Sequence, residues 1–139
     1  MAATATPSTW AALRSVLLEP FARGEPVRTA VFDLLADAPV EVSPLVPPVD
    51  AVLVVDGVFL QRPELAGCWD LVVHLVVSDE EVVRRARLRD AGHPDEIERK
   101  YRVRYLPAHE NYRAECLPAG SADVVIDNND PTRPRLISP

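Results

Sequence analysis

The sequence predicts an α/β domain in which helices flank a mostly parallel sheet. Three runs of apolar residues, 51–55, 71–77 and 123–127, are continuous rather than alternating. Such runs are expected for strands that are covered on both faces, as in parallel sheets. Helical patterns occupy the stretch between the second run and the third. That order of elements fits a layered α/β domain.

A helix and a hairpin are predicted before these runs. Residues 1–7 are small and polar, and we expect them to be flexible. Ser8 is placed to cap a helix that Pro20 helps to end, and four large apolar residues recur in it at helical spacing: Trp10, Leu13, Leu17 and Phe21. Residues 27–32 and 40–43 are typical of two strands joined by a turn, which predicts a β-hairpin.

Helices are predicted between the second and third apolar runs. Ser78 and Glu81 form the S-x-x-E pattern of a capping box, which predicts a helix to about Asp90. Pro94 is followed by two acidic residues, and this combination predicts the start of another helix. We expect Pro107 to interrupt that helix and a further short helix to cover 108–115. Residues 8–139 are therefore predicted to form a single domain.

Composition narrows the class of protein. The chain has 139 residues, of which 47% are apolar and 26% are charged, the balance of a soluble globular domain. No run approaches the roughly 18 apolar residues that span a membrane, and the first residues do not form a secretory leader. We therefore expect a cytoplasmic protein without a membrane partner. The net charge of -6 argues against a nucleic-acid partner.

Asp56 is the first candidate for chemistry. It follows directly on the apolar run 51–55 and precedes Gly57. Open α/β sheets bind ligands at the carboxyl ends of their strands, and an acid placed there can hold Mg²⁺ beside phosphate groups. The alternative is an acid that only caps the turn after the strand.

Arg85 and Arg89 are the second candidates. They are one helical turn apart in RRARLRD and so face the same way. Two guanidinium groups on one face can clamp a triphosphate, because each can bond two phosphate oxygens and keeps its charge. The alternative is a solvated basic face that is balanced by neighbouring acids. His74, inside the second apolar run, is expected to be a core or sheet-facing residue with a satisfied ring rather than a catalytic one.

Several segments together resemble uridine kinases and related P-loop nucleoside kinases, and they occur in the order found in that family. They span roughly residues 8–137 and are DAVLVVDGVFL, WDLVVHLVV, RRARLRD, YRVRYLPAHENY and ADVVIDNND. VRTAVFD is similar to the family's β-hairpin, which forms part of the nucleoside pocket. The resemblance implies a P-loop NTPase-like fold, ATP and Mg²⁺ as cofactors, and a small-molecule nucleoside as substrate.

The resemblance also implies roles for individual residues. Asp56 looks like the acid on the metal side, and Arg85 and Arg89 look like the lid arginines that contact phosphates. Phe32 and Asp33 are similar to an aromatic–acid pair near the nucleoside. Asp37 stands where many relatives have a base-contacting histidine, a departure that bears on substrate choice. Asn128 and Asn129 follow the last strand, where relatives pass close to the adenine.

The phosphate-binding loop of the family is not found in this sequence. That loop, G-x-x-x-x-G-K-[ST], surrounds the phosphates with backbone N–H groups and neutralises them with a lysine. The five glycines of this chain are nowhere five residues apart, and Lys100 is the sole lysine. The chain resembles a member that begins after the first strand and this loop. The first strand is central in the family, so its neighbours 51–55 and 71–77 either pair directly, receive a strand from a partner, or leave the domain marginally stable.

Three functions remain open from the sequence. The first is a nucleoside kinase-like domain that is inactive alone because the phosphate loop is missing. The second is a non-catalytic remnant that binds a nucleotide weakly or docks onto a partner chain, as an oligomer or with another protein. The third is another P-loop small-molecule kinase, related to pantothenate or sugar kinases.

Overall fold

The structure, a computed structural model, describes residues 7–30, 32–33, 38–40 and 42–138. The chain is mixed α/β, which confirms the predicted class in its coarse form. It divides into two compact units, an N-terminal unit that ends at Val58 and a C-terminal unit that begins at Phe59. Each unit is described below by itself. No helix in the described part of the chain is both long enough and apolar enough to cross a membrane.

Helix α1 forms most of the N-terminal unit. It consists of Pro7–Leu13, a π-helical turn Arg14–Leu18 and a last turn Glu19–Ala22. The predicted helix is confirmed, but its predicted start is wrong, because the helix begins at Pro7 and Ser8 lies inside its first turn. Trp10 and Leu18 are buried, as an amphipathic helix requires.

Pro20 lies inside α1 instead of ending it. Proline has no N–H group, so the carbonyl of Val16, four residues earlier, loses its helical partner. The π-helical turn lies directly before the proline, and Arg28 donates its backbone N–H to the freed oxygen of Val16 at 3.0 Å. The helix ends at Ala22, two residues after Pro20, and Gly24 then takes a left-handed φ of 68°.

The predicted hairpin is present in a shorter form. Strands β1 (Phe32–Asp33) and β2 (Ala38–Pro39) pair antiparallel. A separate bridge joins Val27 to Leu45 through two backbone hydrogen bonds of 2.8 Å. The second strand therefore lies two residues earlier than the predicted 40–43, and 27–30 is not a continuous strand.

The predicted strand 51–55 is not formed in this structure. Residues 51–57 belong to no helix or strand, although their exposure alternates as in a strand. Val52 and Val54 are 85% and 83% exposed, and the residues between them are half-buried. Continuous apolar character makes a strand only where a neighbouring strand supplies hydrogen bonds, and no described residue supplies them here.

A three-stranded sheet is the centre of the C-terminal unit. Its strands are β3 (Val73–Val76), β4 (Val124–Asp127) and β5 (Arg135–Ser138), in the order β3-β4-β5. The parallel pair β3–β4 confirms the second and third predicted strands. The tail strand β5, which was not predicted, pairs antiparallel with β4. The sheet is therefore mixed, and β3 lies at its edge.

Three helices connect and flank these strands. Helix α2 is Asp79–Arg89, and Ser78 caps it by accepting from the backbone N–H of Glu81 at 3.3 Å, as predicted. Helix α3 consists of Pro94–Lys100, a π-helical turn Tyr101–Tyr105 and Leu106–Cys116. Helix α4 is the short Pro118–Ser121.

The prediction that Pro107 interrupts a helix is wrong. The π-helical turn Tyr101–Tyr105 precedes this proline, as another such turn precedes Pro20 in α1. A π turn closes i→i+5 hydrogen bonds, and Leu106 donates to Tyr101 in this way. The helix can therefore pass the proline without the break that a regular α-helix would show.

The chain enters the C-terminal unit through a strained residue. Phe59 has a left-handed φ of 63°, which is unusual for a bulky side chain. The centroid of its ring lies 4.9 Å from the ring centroid of His109 and 5.0 Å from that of Tyr112, and both residues belong to α3. Gln61 then donates its backbone N–H to the Tyr112 hydroxyl at 3.0 Å. The core of this unit, formed between sheet and helices, contains Leu65, Val83, Ala86, Tyr112 and Val125.

Candidate functional site

The carboxyl end of the parallel pair carries the densest polar cluster of the C-terminal unit. β3 leads to Ser78, the cap of α2, and β4 leads to Asn128 and Asn129. The Oδ1 atom of Asn129 accepts from the backbone N–H of Ser78 at 2.8 Å, which joins the two strand ends. This is the edge of an open α/β sheet at which ligands bind.

Arg85 completes this junction from helix α2. Its Nη2 atom donates to the main-chain oxygens of Asn128 at 2.7 Å and Asn129 at 3.1 Å, and its Nε atom donates to Glu81 at 2.6 Å. The structure therefore brings together three of the residues predicted from the sequence. Most of the hydrogen-bonding capacity of Arg85 is used within the protein, so in this conformation it positions the loop after β4.

Glu81 is a member of this cluster that the sequence interpretation did not include as a site residue. Its carboxylate accepts from Arg84 at 2.6 and 2.7 Å and from Arg85 at 2.6 Å. Those hydrogen bonds, Arg84 first and Arg85 second, hold the pKa of Glu81 at about 2. The signal was available in the i,i+3 and i,i+4 spacing of the three residues.

Asp127 is the second residue that was missed. It ends β4 and accepts hydrogen bonds from the backbone N–H of Asn129 at 3.0 Å, the Asn129 amide at 2.7 Å and Arg135 at 2.5 Å. The backbone bond from Asn129, followed by Arg135, lowers its pKa to about 2. The argument that selected Asp56, an acid at the end of an apolar run, applies equally to Asp127.

An open cleft of about 390 Å³ lies beside this cluster. It is lined by Asp127, Asn129, Asp130, Arg133 and Arg135. Asp130 accepts from the backbone and hydroxyl of Thr132, at 3.0 and 2.7 Å, and these bonds lower its pKa. The guanidinium group of Arg133, which also lines the cleft, bonds to no described residue. It can therefore bond to a ligand without first breaking a bond to one of those residues.

Arg89 lies apart from this cluster. It donates to Asp90 at 2.8 Å and to the Tyr101 hydroxyl at 3.2 Å, so it joins the end of α2 to α3. The hydrogen bonds that it donates to these two groups, first to Asp90, raise the pKa of Arg89 above the ordinary value. Arg85 and Arg89 therefore have different partners in the described structure, although helical spacing places them on one side of α2.

The remaining predicted residues belong to the N-terminal unit. Asp56 is exposed and makes no ion pair with a described residue. Phe32 and Asp33 form the backbone of β1, and Asp37 lies outside the described residues. Among the residues that the structure describes, no three acidic, histidine or cysteine side chains come together as a metal site.

Two histidines of the C-terminal unit are half-buried. His74 lies on β3, and His109 lies on α3. Burial, followed by the positive charge of Arg113, lowers the pKa of both imidazoles. Arg113 itself lies 3.5 Å from the carboxylate of Asp79, which acts on His109 in the opposite direction.

The chain was compared with protein-family models, with characterised proteins and with solved structures. None of the three comparisons finds a match.

Proposed function

We propose that the chain is a uridine kinase-like phosphotransferase domain that binds a nucleotide weakly and does not transfer a phosphoryl group by itself. The binding is argued from the cleft beside the carboxyl end of β4, where Asn129 is exposed and Arg133 is exposed with no side-chain partner among the described residues. Arginine is suited to phosphate because its fork can bond two oxygens at once.

The lack of transfer follows from the groups that phosphoryl transfer requires. Catalysis of this kind rests on positioning and on stabilising the charge of the transferred group. These 139 residues contain no G-x-x-x-x-G-K sequence to hold the phosphates. Arg85 is bound to Glu81 and to two carbonyls, and Arg89 is bound to Asp90, so neither guanidinium group is free for a triphosphate.

By the family resemblance, Asp56 of the N-terminal unit would be the residue that holds Mg²⁺. In phosphate sites magnesium takes one or two carboxylates and fills its other positions with phosphate and water oxygens. An exposed carboxylate without an ion pair among the described residues fits that limited role. The metal would offset phosphate charge when bound.

Two measurements test the proposal. With ATP, Mg²⁺ and uridine we expect no product above the level without protein; turnover that disappears in Asp56→Ala would overturn the claim of inactivity. By calorimetry or ligand-observed NMR we expect ATP to bind with a Kd on the order of 1 mM. Arg133→Ala should weaken that binding, whereas Arg99→Ala, an exposed arginine of α3 outside the cleft, should not. Equal effects of both variants would contradict a site at the cleft.

The third function suggested by the sequence is a kinase for pantothenate or a sugar, and it differs from a nucleoside kinase only in its substrate. A panel of these compounds in the same assay tests it, and uridine-specific binding in the presence of ATP would count against it.

A further inference from the structure

One face of the sheet in the C-terminal unit is bare and apolar. Val73 and Leu75 of β3 lie beside Val124 and Ile126 of β4, and Ile126 pairs in turn with Leu136 of β5. Paired residues of adjacent strands lie on the same side of a sheet, so these side chains share one surface. Leu71, two residues before Val73, continues it. This set, Leu71, Val73, Leu75, Val124, Ile126 and Leu136, is called the bare face below.

On β3 and β4 the opposite face is the more buried one. His74 and Val125 alternate along their strands with residues of the bare face. His74 is half-buried, and Val125 is 5% exposed. On the bare face, Leu71 is 65%, Val73 47%, Leu75 51% and Leu136 65% exposed, while Val124 and Ile126 of the central strand are half-buried.

The bare face contains no charged residue. Its six members are all leucine, isoleucine or valine, although the chain as a whole carries a net charge of -6. In a sheet with one face in solvent, that face normally carries polar residues, which alternate along each strand with the apolar residues of the buried face. A contiguous apolar surface of this kind marks an interaction site.

A second copy of the chain is the occupant that charge and area favour. The exposed fractions correspond to roughly 500 Å² of apolar surface, so two copies would bury on the order of 1,000 Å², the lower limit of specific interfaces. Because the face is uncharged, two acidic chains can meet there without opposing like charges. Antiparallel self-pairing of the other apolar segment, 51–55, would place Asp50 opposite Asp56 of the second copy and is disfavoured.

We propose that two copies of the chain associate weakly in solution by packing their bare faces against each other. A two-fold axis makes such a contact self-complementary, and aligned sheets pack face to face at about -30°. The interface differs from the strand addition considered from the sequence, because it uses side chains of a sheet face and no strand edge. It is independent of nucleotide binding at the cleft.

Sedimentation velocity from micromolar to near-millimolar protein tests the proposal. We expect a concentration-dependent monomer–dimer equilibrium that Leu75→Glu weakens at least ~10-fold. The matched control is Val103→Glu, which places the same charge on a valine of α3 that is 75% exposed and outside the sheet; it should leave the equilibrium unchanged. A monomer at every concentration would overturn the proposal. A dimer that survives Leu75→Glu but is lost in Val52→Glu would overturn it too, and would assign the contact to 51–55.

A measurement on the unaltered chain guards against a variant that fails to fold. In a dilution series followed by NMR, the amide signals of 71–76 and 124–126 should shift with concentration more than those of α3. Shifts confined to α3 or to the N-terminal unit would contradict an interface on the bare face.

Discussion

The guanidinium group of Arg85 lies 2.7 Å from the main-chain oxygen of Asn128. This bond connects the first helix after β3 with the loop after β4, 43 residues later in the chain. It explains how two strand ends are held together in a unit whose sheet has only three strands.

Replacing Arg85 by alanine should lower the free energy of unfolding by about 1 kcal/mol, because the main-chain oxygens of Asn128 and Asn129 and the carboxylate of Glu81 lose a charged donor. Urea denaturation measures this. Arg84→Ala is the control, since Arg84 is 58% exposed and, among the described residues, its side chain bonds to Glu81 alone; we expect almost no change there. Equal destabilisation by the two changes would show that the carbonyl contacts contribute nothing.

Stability should fall in acid between about pH 4.5 and pH 2. The pKa values of Asp127 and Glu81 are lowered to about 2 from ordinary values of 3.8 and 4.5. Groups with a lowered pKa stabilise the fold above their unfolded pKa, and this stabilisation is lost as pH falls through the folded value. The urea midpoint of Asp127→Asn should therefore depend less on pH in this range than that of the unaltered chain. Glu115→Gln, an exposed change on α3, should keep the original dependence.

A second, separate loss of stability should occur as pH falls below about 6.5. The pKa of His109 is lowered from 6.5 by burial and then by Arg113, so the unfolded chain binds a proton more readily than the folded one. The contribution is complete above the unfolded pKa and declines below it. His109→Gln should flatten the stability profile between pH 7.5 and 5. An unchanged profile would show that His109 is protonated equally in both states.

Leu117→Gly should stabilise the protein by about 0.5–1 kcal/mol, because Leu117 ends α3 with a left-handed φ of 45° that glycine adopts without strain. Its side chain is 67% exposed, so little packing is lost. Leu88→Gly is the matched control, with a side chain that is 66% exposed but a position inside α2. There the same change should destabilise by about 1 kcal/mol. Thermal or urea unfolding gives both signs, and a loss of stability in both variants would contradict the strain argument.

Local patterns predicted the parts of the fold that depend on local chemistry. The Ser78 cap, the strands at 73–76 and 124–127, and the helix beginning at Pro94 are all present. The segment 51–55 was mispredicted because its apolar character indicates only that it could be buried in a sheet. It does not indicate whether a neighbouring strand is present to pair with it. Pro107 was mispredicted because a π-helical turn, which has no simple sequence pattern, relieves its clash.

The candidate site was predictable to a similar extent. Asn128 and Asn129 meet Arg85 because strand ends and the helix that follows share one edge of a sheet, which element order alone indicates. The direction of Arg89 was not predictable, because it depends on Tyr101, a residue brought near by the turn between α2 and α3. Helical spacing determines the face of the helix from which a side chain projects. Neighbouring elements determine which group the end of that side chain binds.

Phe59 limits how this chain can vary. A glycine would supply the left-handed backbone but lose both ring contacts, and a leucine would lose the ring contacts and keep the strain. Another aromatic residue would keep the ring contacts and carry the same backbone strain as Phe59. A saturation-mutagenesis library should therefore tolerate tyrosine or tryptophan at this position and reject most other residues, although the side chain is only half-buried and takes part in no proposed chemistry.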